Sequence, residues 1–412
     1  MLPTVPVPPR RIDDLLQDAG EEAIDRLREA AAPLAGSRVL QVNSTAFGGG
    51  VAELLFTQIA LLNDLGIETT WQVIDGRDEF FNVTKAMHNA LQGAEIPWTR
   101  EMERIYLEQC EENAAGIAKD CDFVIIHDPQ PAAVLPILDR KSGRSGKWAW
   151  RCHIDLSDSY EPVWEFLAGF VDGYDAAVFT MSDYVRPGLS GPSVFVIPPS
   201  IDPTSAKNCA ISPDTEYEVL SRYGVDRTRP ILTQVSRFDP WKDPVGVIDV
   251  YRRVKEAEPS LQLVMIASMA NDDPEGFRFL DLTEEARAGD PDVFLLSNLQ
   301  GVGNLEVNAF QRASTVIIQK SLREGFGLVV AEGMWKERPV VGGDVGGIRL
   351  QISDGESGFL VDSTEGAAER TLELLRDPDE RHRMGRSGKE RVRDHFLTPR
   401  EIEDYLLMLT KL

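Results

Sequence analysis

The sequence predicts an α/β protein built from two doubly wound, Rossmann-like parallel sheets. Three observations carry that prediction. Short apolar runs that read as buried strands alternate with helix-like segments in both halves of the chain. The 412 residues exceed what one ordinary core supports, so two domains are expected. Pro198-Pro-Ser-Ile-Asp-Pro203 breaks all regular structure near the middle and reads as a linker.

In order, residues 1–10 are Pro-rich and read as unstructured or draped. Residues 12–32 read as one acidic amphipathic helix burying Leu15, Leu16, Ile24 and Leu27. A strand at 38–43 runs into Ser44-Thr-Ala-Phe-Gly-Gly-Gly50, and a helix follows over 51–65. Strand, triple glycine and helix together form a phosphate-cradle pattern, because free amides at a helix N-terminus favour an anion. Strands are expected at 68–74, 123–128, 147–155, 175–181 and 193–197, with charge-rich helices after the first of them. In the second half, strands are expected at 230–236, 262–267, 293–296, 315–318, 339–342 and 358–361. Helices are expected there at 245–257, 304–313, 328–336, 365–375, 379–394 and 399–412. Open parallel sheets bind ligands beyond the C-terminal ends of their strands, so the cleft between the two sheets is the expected site.

Composition narrows the partners. A net charge of -24 excludes nucleic acid and anionic membrane surfaces as natural partners, since both would be repelled. An anionic small substrate then needs a few specific cations inside a negative field. The four cysteines, Cys110, Cys121, Cys152 and Cys209, have no metal or redox spacing and read as reduced thiols. The N-terminus lacks the apolar core of a secretion signal, and no run of about 18 apolar residues occurs, so a cytoplasmic protein is expected.

The candidate site is built from strand ends. Ser321-Leu-Arg-Glu-Gly-Phe-Gly-Leu328 follows an apolar strand and opens a helix, with Glu324 and Glu332 separated by seven residues. That spacing suits two ends of one elongated, hydroxyl-rich ligand. Arg237 and Lys242 lie just past another strand, and an Arg fork with a Lys point charge suits a pyrophosphate. Taken alone, each of these reads equally well as a turn or a surface pair. The triple glycine lacks the GxGxxG form and no acid anchors a ribose after the next strand, which disfavours a nicotinamide fold. His153, flanked by Arg151 and Asp155, and His127, Asp128 and Gln130 sit at strand ends of the first half. No metal is called for: Asp290-Pro-Asp292 and Asp377-Pro-Asp379 read as turns and caps.

These residues resemble the family-four retaining glycosyltransferases of the GT-B fold. The stretches VNSTAFGGGVAELL, FFNVTKAMHNALQG, HDPQPAA, WRCHIDLS, PPSIDP, QVSRFDPWKD, VNAFQRAS and REGFGLVVAEGMWK are similar to the trehalose glycosyltransferring synthases among them. They run from Val42 to Lys336, and the trehalose phosphorylases share part of the set. The resemblance implies transfer of glucose from an ADP-, UDP- or GDP-glucose to free glucose, reversibly, giving α,α-trehalose. It implies that Arg237 and Lys242, with Gly49 and Gly50, hold the donor diphosphate. Glu332 would hold the ribose, and Asn298 and Leu299 would lie against the base. Glu324, Gly325, Phe326 and Gly327 would hold the donor glucose. His153 would lie beside the reacting carbon, and Gly48, Gly49, Asp128, Gln130, Arg151 and Asp155 would place sugar. No cofactor is required; Mg2+ is not needed by the site, although stimulation by it stays open, and a homodimer is expected.

The same resemblance divides the chain into residues 1–202 on the acceptor side, with 1–36 as an extension and helix, and residues 203–393 for the nucleotide sugar. Residues 394–412 form a helix crossing back to the first domain. One departure stands out: Asp243 follows Lys242 where the family often has Gly, and it is expected to point outward as a helix N-cap before Pro244. The competing functions are trehalose phosphorolysis and non-catalytic sensing of a sugar nucleotide.

Overall fold

Runs such as Phe123-Val-Ile-Ile are apolar without alternation, as strands covered on both faces require. In the computed structural model, which describes all residues except 48, 142 and 270–273, such runs pair only in parallel. The chain forms two units. One is Met1–Pro199 with Thr398–Leu412, and the other is Ser200–Leu397.

The first unit holds β1 (Arg38–Asn43), β2 (Glu68–Val73), β3 (Phe123–His127), β4 (Lys147–Arg151), β5 (Ala176–Phe179) and β6 (Ser193–Val196), in the order β2-β1-β3-β4-β5-β6. Strand order reverses at β1, so the loops leaving β1 and β3 diverge and open a crevice at their C-terminal ends. One face packs Trp148, Trp150, Phe80 and Tyr106. The other packs Val39, Ile125 and Ala149 against Ile24, Leu27, Ile402, Leu406 and Leu409. Helix Thr398–Lys411 therefore belongs to this unit. Each of its buried aliphatic side chains contributes about 1.5–3 kcal/mol to that attachment.

At the N-terminus one expectation changes and one open choice is decided. The helix over 12–32 is broken at Gly20, whose φ of +87° suits glycine. It becomes a 3-10 turn Ile12–Leu15 and helices Leu16–Ala19 and Glu21–Ala31, and Leu16 is exposed. Residues 1–10 are draped along the edge of the sheet: Val5 N donates to Trp71 O at 2.9 Å and Val73 N to Pro3 O at 3.0 Å. A proline-rich segment can serve there because an outermost strand need pair on one side only.

The second unit holds β7 (Ile231–Ser236), β8 (Gln262–Ala267), β9 (Val293–Ser297), β10 (Val316–Gln319), β11 (Val340–Gly343) and β12 (Phe359–Val361), in the order β12-β11-β10-β7-β8-β9. Here the order reverses between β7 and β10. Leu232, Tyr251, Leu263, Val341 and Leu374 fill one face, and Ile231, Val264, Ile266 and Phe310 the other. Helices Pro213–Arg222 and Pro274–Arg287 were not expected from the sequence. Both begin on a proline, which reads as a break but is well suited to the first helical position. Among the described residues no helix is long and apolar enough to cross a membrane.

Candidate active site

The reversal in the second sheet sets the ends of β7 and β10 side by side. After β7, Asp239 caps the turn Pro240–Lys242, accepting from Lys242 N at 3.1 Å. Gln234 Nε2 donates to Lys242 O at 2.8 Å, so the lysine backbone is held from two sides. Lys242 Nζ then meets Glu324 Oε2 at 2.7 Å, with the two side chains only 17% and 9% exposed. Ser321 Oγ donates to the same oxygen at 3.1 Å. Arg237 is open to solvent, with Nη2 3.2 Å from Asp239 Oδ2.

The loop beyond Glu324 is a cradle of backbone. Among the described residues, the amides of Gly325, Phe326 and Gly327 have no hydrogen-bond acceptor. Gly327 has φ +81° and leads into helix Leu328–Trp335, whose N-terminal amides add to the same positive end. Gln351 Nε2 holds Phe326 O at 2.6 Å and Gly347 O at 3.1 Å, and Gly347 N donates to Glu324 O at 3.1 Å. A Cβ on Gly347 would lie 2.3 Å from Phe326 Cα. The close approach of these two segments therefore requires glycine at that position.

Glu332 is buried one turn into that helix. Its Oε2 accepts from Gln311 Nε2 at 3.0 Å and its Oε1 lies 3.3 Å from Lys207 Nζ. Asn298 brackets the backbone of Met269, with Oδ1 accepting from Met269 N at 2.7 Å and Nδ2 donating to Met269 O at 2.9 Å. Leu299 beside it is exposed. Asp243 caps helix Pro244–Ala257 as expected, accepting from Gly246 N at 3.1 Å, but its carboxylate does not point outward. Its other oxygen pairs with Lys320, because a left-handed backbone at φ +48° turns the side chain toward β10.

In the first unit the strand ends carry a buried polar row. His127 ends β3 and is 2% exposed; its Nε2 is 2.7 Å from Gln41 Oε1 and its Nδ1 is 3.0 Å from His153 Nε2. Burial, and then the Arg151 charge, lower the His127 pKa to about 3 and also push that of His153 down. Asp128 adopts φ +65°, donates its N to Arg151 O at 2.8 Å and accepts His153 N on Oδ1 at 2.8 Å. Burial raises its pKa to about 6 against the opposing pull of the His153 amide and Arg151. Asp155 Oδ1 is taken up by Ser157, from N at 3.0 Å and Oγ at 2.6 Å. Gln130 presents a buried Oε1 that has no hydrogen-bond partner among the described residues.

Arg151, expected to place sugar, ends β4 opposite His127 and is 0% exposed, so its side chain lies within the fold. It shares the sheet face of Ala149, which packs under the last helix, and Tyr405 of that helix feels its charge. Gly49 is an extended N-cap and Gly50 the first residue of helix Gly50–Asp64, while Gly48 lies outside the described residues.

Known proteins decide what this arrangement belongs to. Residues 41–186 match the family described as trehalose synthase, N-terminal domain, and residues 218–391 match glycosyl transferases group 1. A trehalose synthase of Rubrobacter xylanophilus is 50% identical over 394 residues, covering 95% of this chain and 94% of that one. One from Thermococcus litoralis is 48% identical over 402 residues, covering 97% of each. The chain belongs to the trehalose synthase family. Its fold is GT-B: the solved trehalose-6-phosphate synthase OtsA superposes with a TM-score of 0.72 at 15% identity, covering 91% of this chain and 99% of that one.

Within this trehalose synthase scaffold, the structure joins Lys242 to Glu324 in one contact and His153 to Asp128 in another. Sequence reasoning missed Gln41, Ser321, Lys207, Gln311, Gly347 and Gln351. Gly347 carried a signal, since a glycine pair opens the segment after β11, but only the packing shows what it lies against. Ser321 opens the quoted loop but was given no role there, Lys207 lies in a turn, and Gln41, Gln311 and Gln351 are polar residues in a strand and two helices with no motif to single them out.

Proposed function

We propose that the protein forms α,α-trehalose by moving glucose from a nucleoside diphosphate glucose to free glucose, with retention at the donor's anomeric carbon. The observation that carries this is the Lys242–Glu324 contact beside the bare amides of residues 325–327, in a chain similar over its whole length to trehalose synthases. Departure of a diphosphate builds negative charge on its oxygens, and fixed cations stabilise it most as it develops. Lys242 is the fixed cation, and the solvent-open Arg237 side chain closes on the phosphates from the other side. The amides of Gly325, Phe326 and Gly327, with Glu324, take the donor hydroxyls. Glu332, oriented by Gln311, takes the ribose hydroxyls once Lys207 gives way. Asn298 shapes the base site through backbone, and Leu299 offers an exposed apolar wall.

On the acceptor side, Gln130 Oε1 is buried without a hydrogen-bond partner among the described residues, at a cost of about 1–3 kcal/mol; a sugar hydroxyl reaches it only once the side chain turns outward. Asp128 and Asp155 already serve the backbone, so they place the loops that carry His153. Glu324 Oε2 accepts from both Lys242 and Ser321, which blunts it as a nucleophile. Retention then follows from attack on the leaving-group face, with the departing phosphate taking the acceptor's proton. A covalent glucosyl-enzyme trapped on Asp or Glu with a slow fluorinated donor would refute that route. The phosphate charge is met by side chains and amides, so activity should survive a chelator.

The four free cysteines suit a reducing compartment such as the cytoplasm. A homodimer is the proposed assembly; the outermost strand β6 exposes Val194 and Val196, and sedimentation tests it. The deciding experiment incubates glucose with ADP-, UDP- or GDP-glucose and chelator. Trehalose and the matching diphosphate are expected. No trehalose from any donor, but phosphate-dependent cleavage of trehalose, would make the protein a phosphorylase. Binding of a donor without turnover would make it a sensor.

A further inference from the structure

Gln41, His127 and His153 form a linear hydrogen-bonded chain whose polarity is set at one end. Gln41 lies in β1, on the same face as His127 in the neighbouring β3. The atom it turns toward His127 is its carbonyl oxygen, 2.7 Å from Nε2, and a carbonyl oxygen can only accept. His127 Nε2 therefore carries a hydrogen. A neutral imidazole has one N–H, so His127 Nδ1 holds a lone pair. That lone pair is 3.0 Å from His153 Nε2, which must then carry the hydrogen of its own ring. The two ring planes lie within 16° of each other at a centroid separation of 5.3 Å, which suits an in-plane N–H directed at an in-plane lone pair. His153 Nδ1 is left unprotonated, and it has no hydrogen-bond partner among the described residues.

Neutrality of both rings has a structural cause as well. The Arg151 guanidinium lies in the same buried row, with none of its three nitrogens hydrogen-bonded among the described residues, so a second cation beside it would be unscreened. Asp128, on the loop that follows His127, offers a nearby counter-charge, with the buried carboxylates of Asp155 and Glu401 in the same region. One of its oxygens is committed to the His153 amide. Tyr405, from the last helix, is buried over the same sheet face, and burial pushes its phenol pKa up to about 12.

We propose that Gln41, through His127, is a positioning residue that fixes His153 in the Nε2–H tautomer, so that His153 offers Nδ1 as an acceptor to a sugar hydroxyl. The role of His153 toward sugar rests on the function proposed above; the tautomer chain does not. The arrangement makes His153 neither a proton donor nor a cation at the reacting carbon. It also selects for a substrate group that can donate: a hydroxyl is accepted there and a fluorine is not.

The test uses the full chain labelled with 15N histidine. In long-range proton–nitrogen spectra at neutral pH, His127 and His153 should both appear as neutral rings with hydrogen on Nε2 and a bare Nδ1. His127→Gln and His153→Gln assign the signals among the five histidines. If either variant fails to fold, the through-hydrogen-bond coupling of the two rings identifies the pair in the wild type. Gln41→Leu removes the acceptor and should shift the His153 proton to Nδ1, with kcat/KM for trehalose formation falling about tenfold or more. A purely structural role for Gln41 would lower thermal stability and leave the tautomers as they are. Hydrogen on His153 Nδ1, or an imidazolium, in the wild type at neutral pH would overturn the proposal. Correct tautomers whose Nδ1 signal does not move when glucose or sugar nucleotide is added would leave the chain standing and remove His153 from the sugar site.

Discussion

Substituting alanine for Gly347 tests whether the backbone cradle under residues 324–327 sets donor binding. A Cβ there would lie 2.3 Å from Phe326 Cα, 2.7 Å from Gly325 O and 2.8 Å from Phe326 O. Non-bonded carbons rest at about 3.5 Å, so Phe326 has to withdraw by about 1 Å. All three neighbours are backbone atoms and cannot rotate aside. Gln351, which grips Phe326 O at 2.6 Å, must yield with them. Gly347 sits in helix Gly346–Gln351 without a positive φ, so alanine is conformationally easy there and its helix propensity offsets about 1 kcal/mol of the packing strain. Activity and stability should therefore separate. On the proposed role of residues 324–327 toward the donor sugar, moving them by about 1 Å costs about 100-fold in turnover. The assay is kcat/KM for trehalose formation, with donor affinity by calorimetry and thermal unfolding in parallel. Gly169→Ala is the control: it lies exposed in helix Glu161–Val171 with nothing within 4 Å of an added Cβ, so activity should not change. Wild-type kcat/KM in Gly347→Ala would refute the reasoning.

Two further outcomes follow from the charged groups. Lys242→Ala removes the fixed cation and leaves the nearly buried Glu324 without its lysine. Turnover should fall by at least about 100-fold, with a stability loss of about 1–3 kcal/mol, read from kcat at saturating donor and from unfolding. Unchanged turnover would remove Lys242 from the phosphate site. The second outcome concerns acid. His127 has its folded pKa depressed to about 3, below the unfolded value, so its neutral form is fully stabilising above about pH 6.5. That stability is lost as pH falls toward 3, at about 1.4 kcal/mol per unit. Depression of His153 acts in the same direction. Asp128 opposes them, because its pKa is raised to about 6 and the folded protein takes up its proton first as pH falls. The difference in unfolding free energy between wild type and His127→Gln should therefore shrink by about 1.4 kcal/mol per unit between pH 6 and 4. Parallel pH curves for the two proteins would show that His127 is not held neutral by the fold.

Strand positions were legible because a doubly covered parallel strand is largely apolar, and the runs Phe123-Val-Ile-Ile in β3, Leu263-Val-Met-Ile-Ala in β8 and Val316-Ile-Ile in β10 announce themselves that way. Proline misled in one place and left another open. It concealed helices that start on Pro213 and Pro274, and for residues 1–10 it left open whether they are unstructured or draped, where the structure has them draped along β2. The helix over 12–32 failed at Gly20, where one backbone angle outweighed a continuous amphipathic pattern.

The sequence by itself determined the two parallel sheets and the strand-end positions of the proposed site residues: Arg237, Lys242, Glu324 and His153 all follow strands, and chain order alone places them there. Tertiary structure alone decided which of them face each other. Lys242 and Glu324 meet at 2.7 Å because β7 and β10, far apart in sequence, are neighbours at the reversal of strand order. Arg151 and His153 are two residues apart, yet one is sealed inside and the other left half-buried, since the strand ends between them and the chain turns toward Asp128. The tautomer of His153 depends on Gln41, a residue of no motif, through a contact across adjacent strands. Sequence spacing carries the period of an element; pairing between elements is fixed by packing and hydrogen bonding, which only the folded chain expresses.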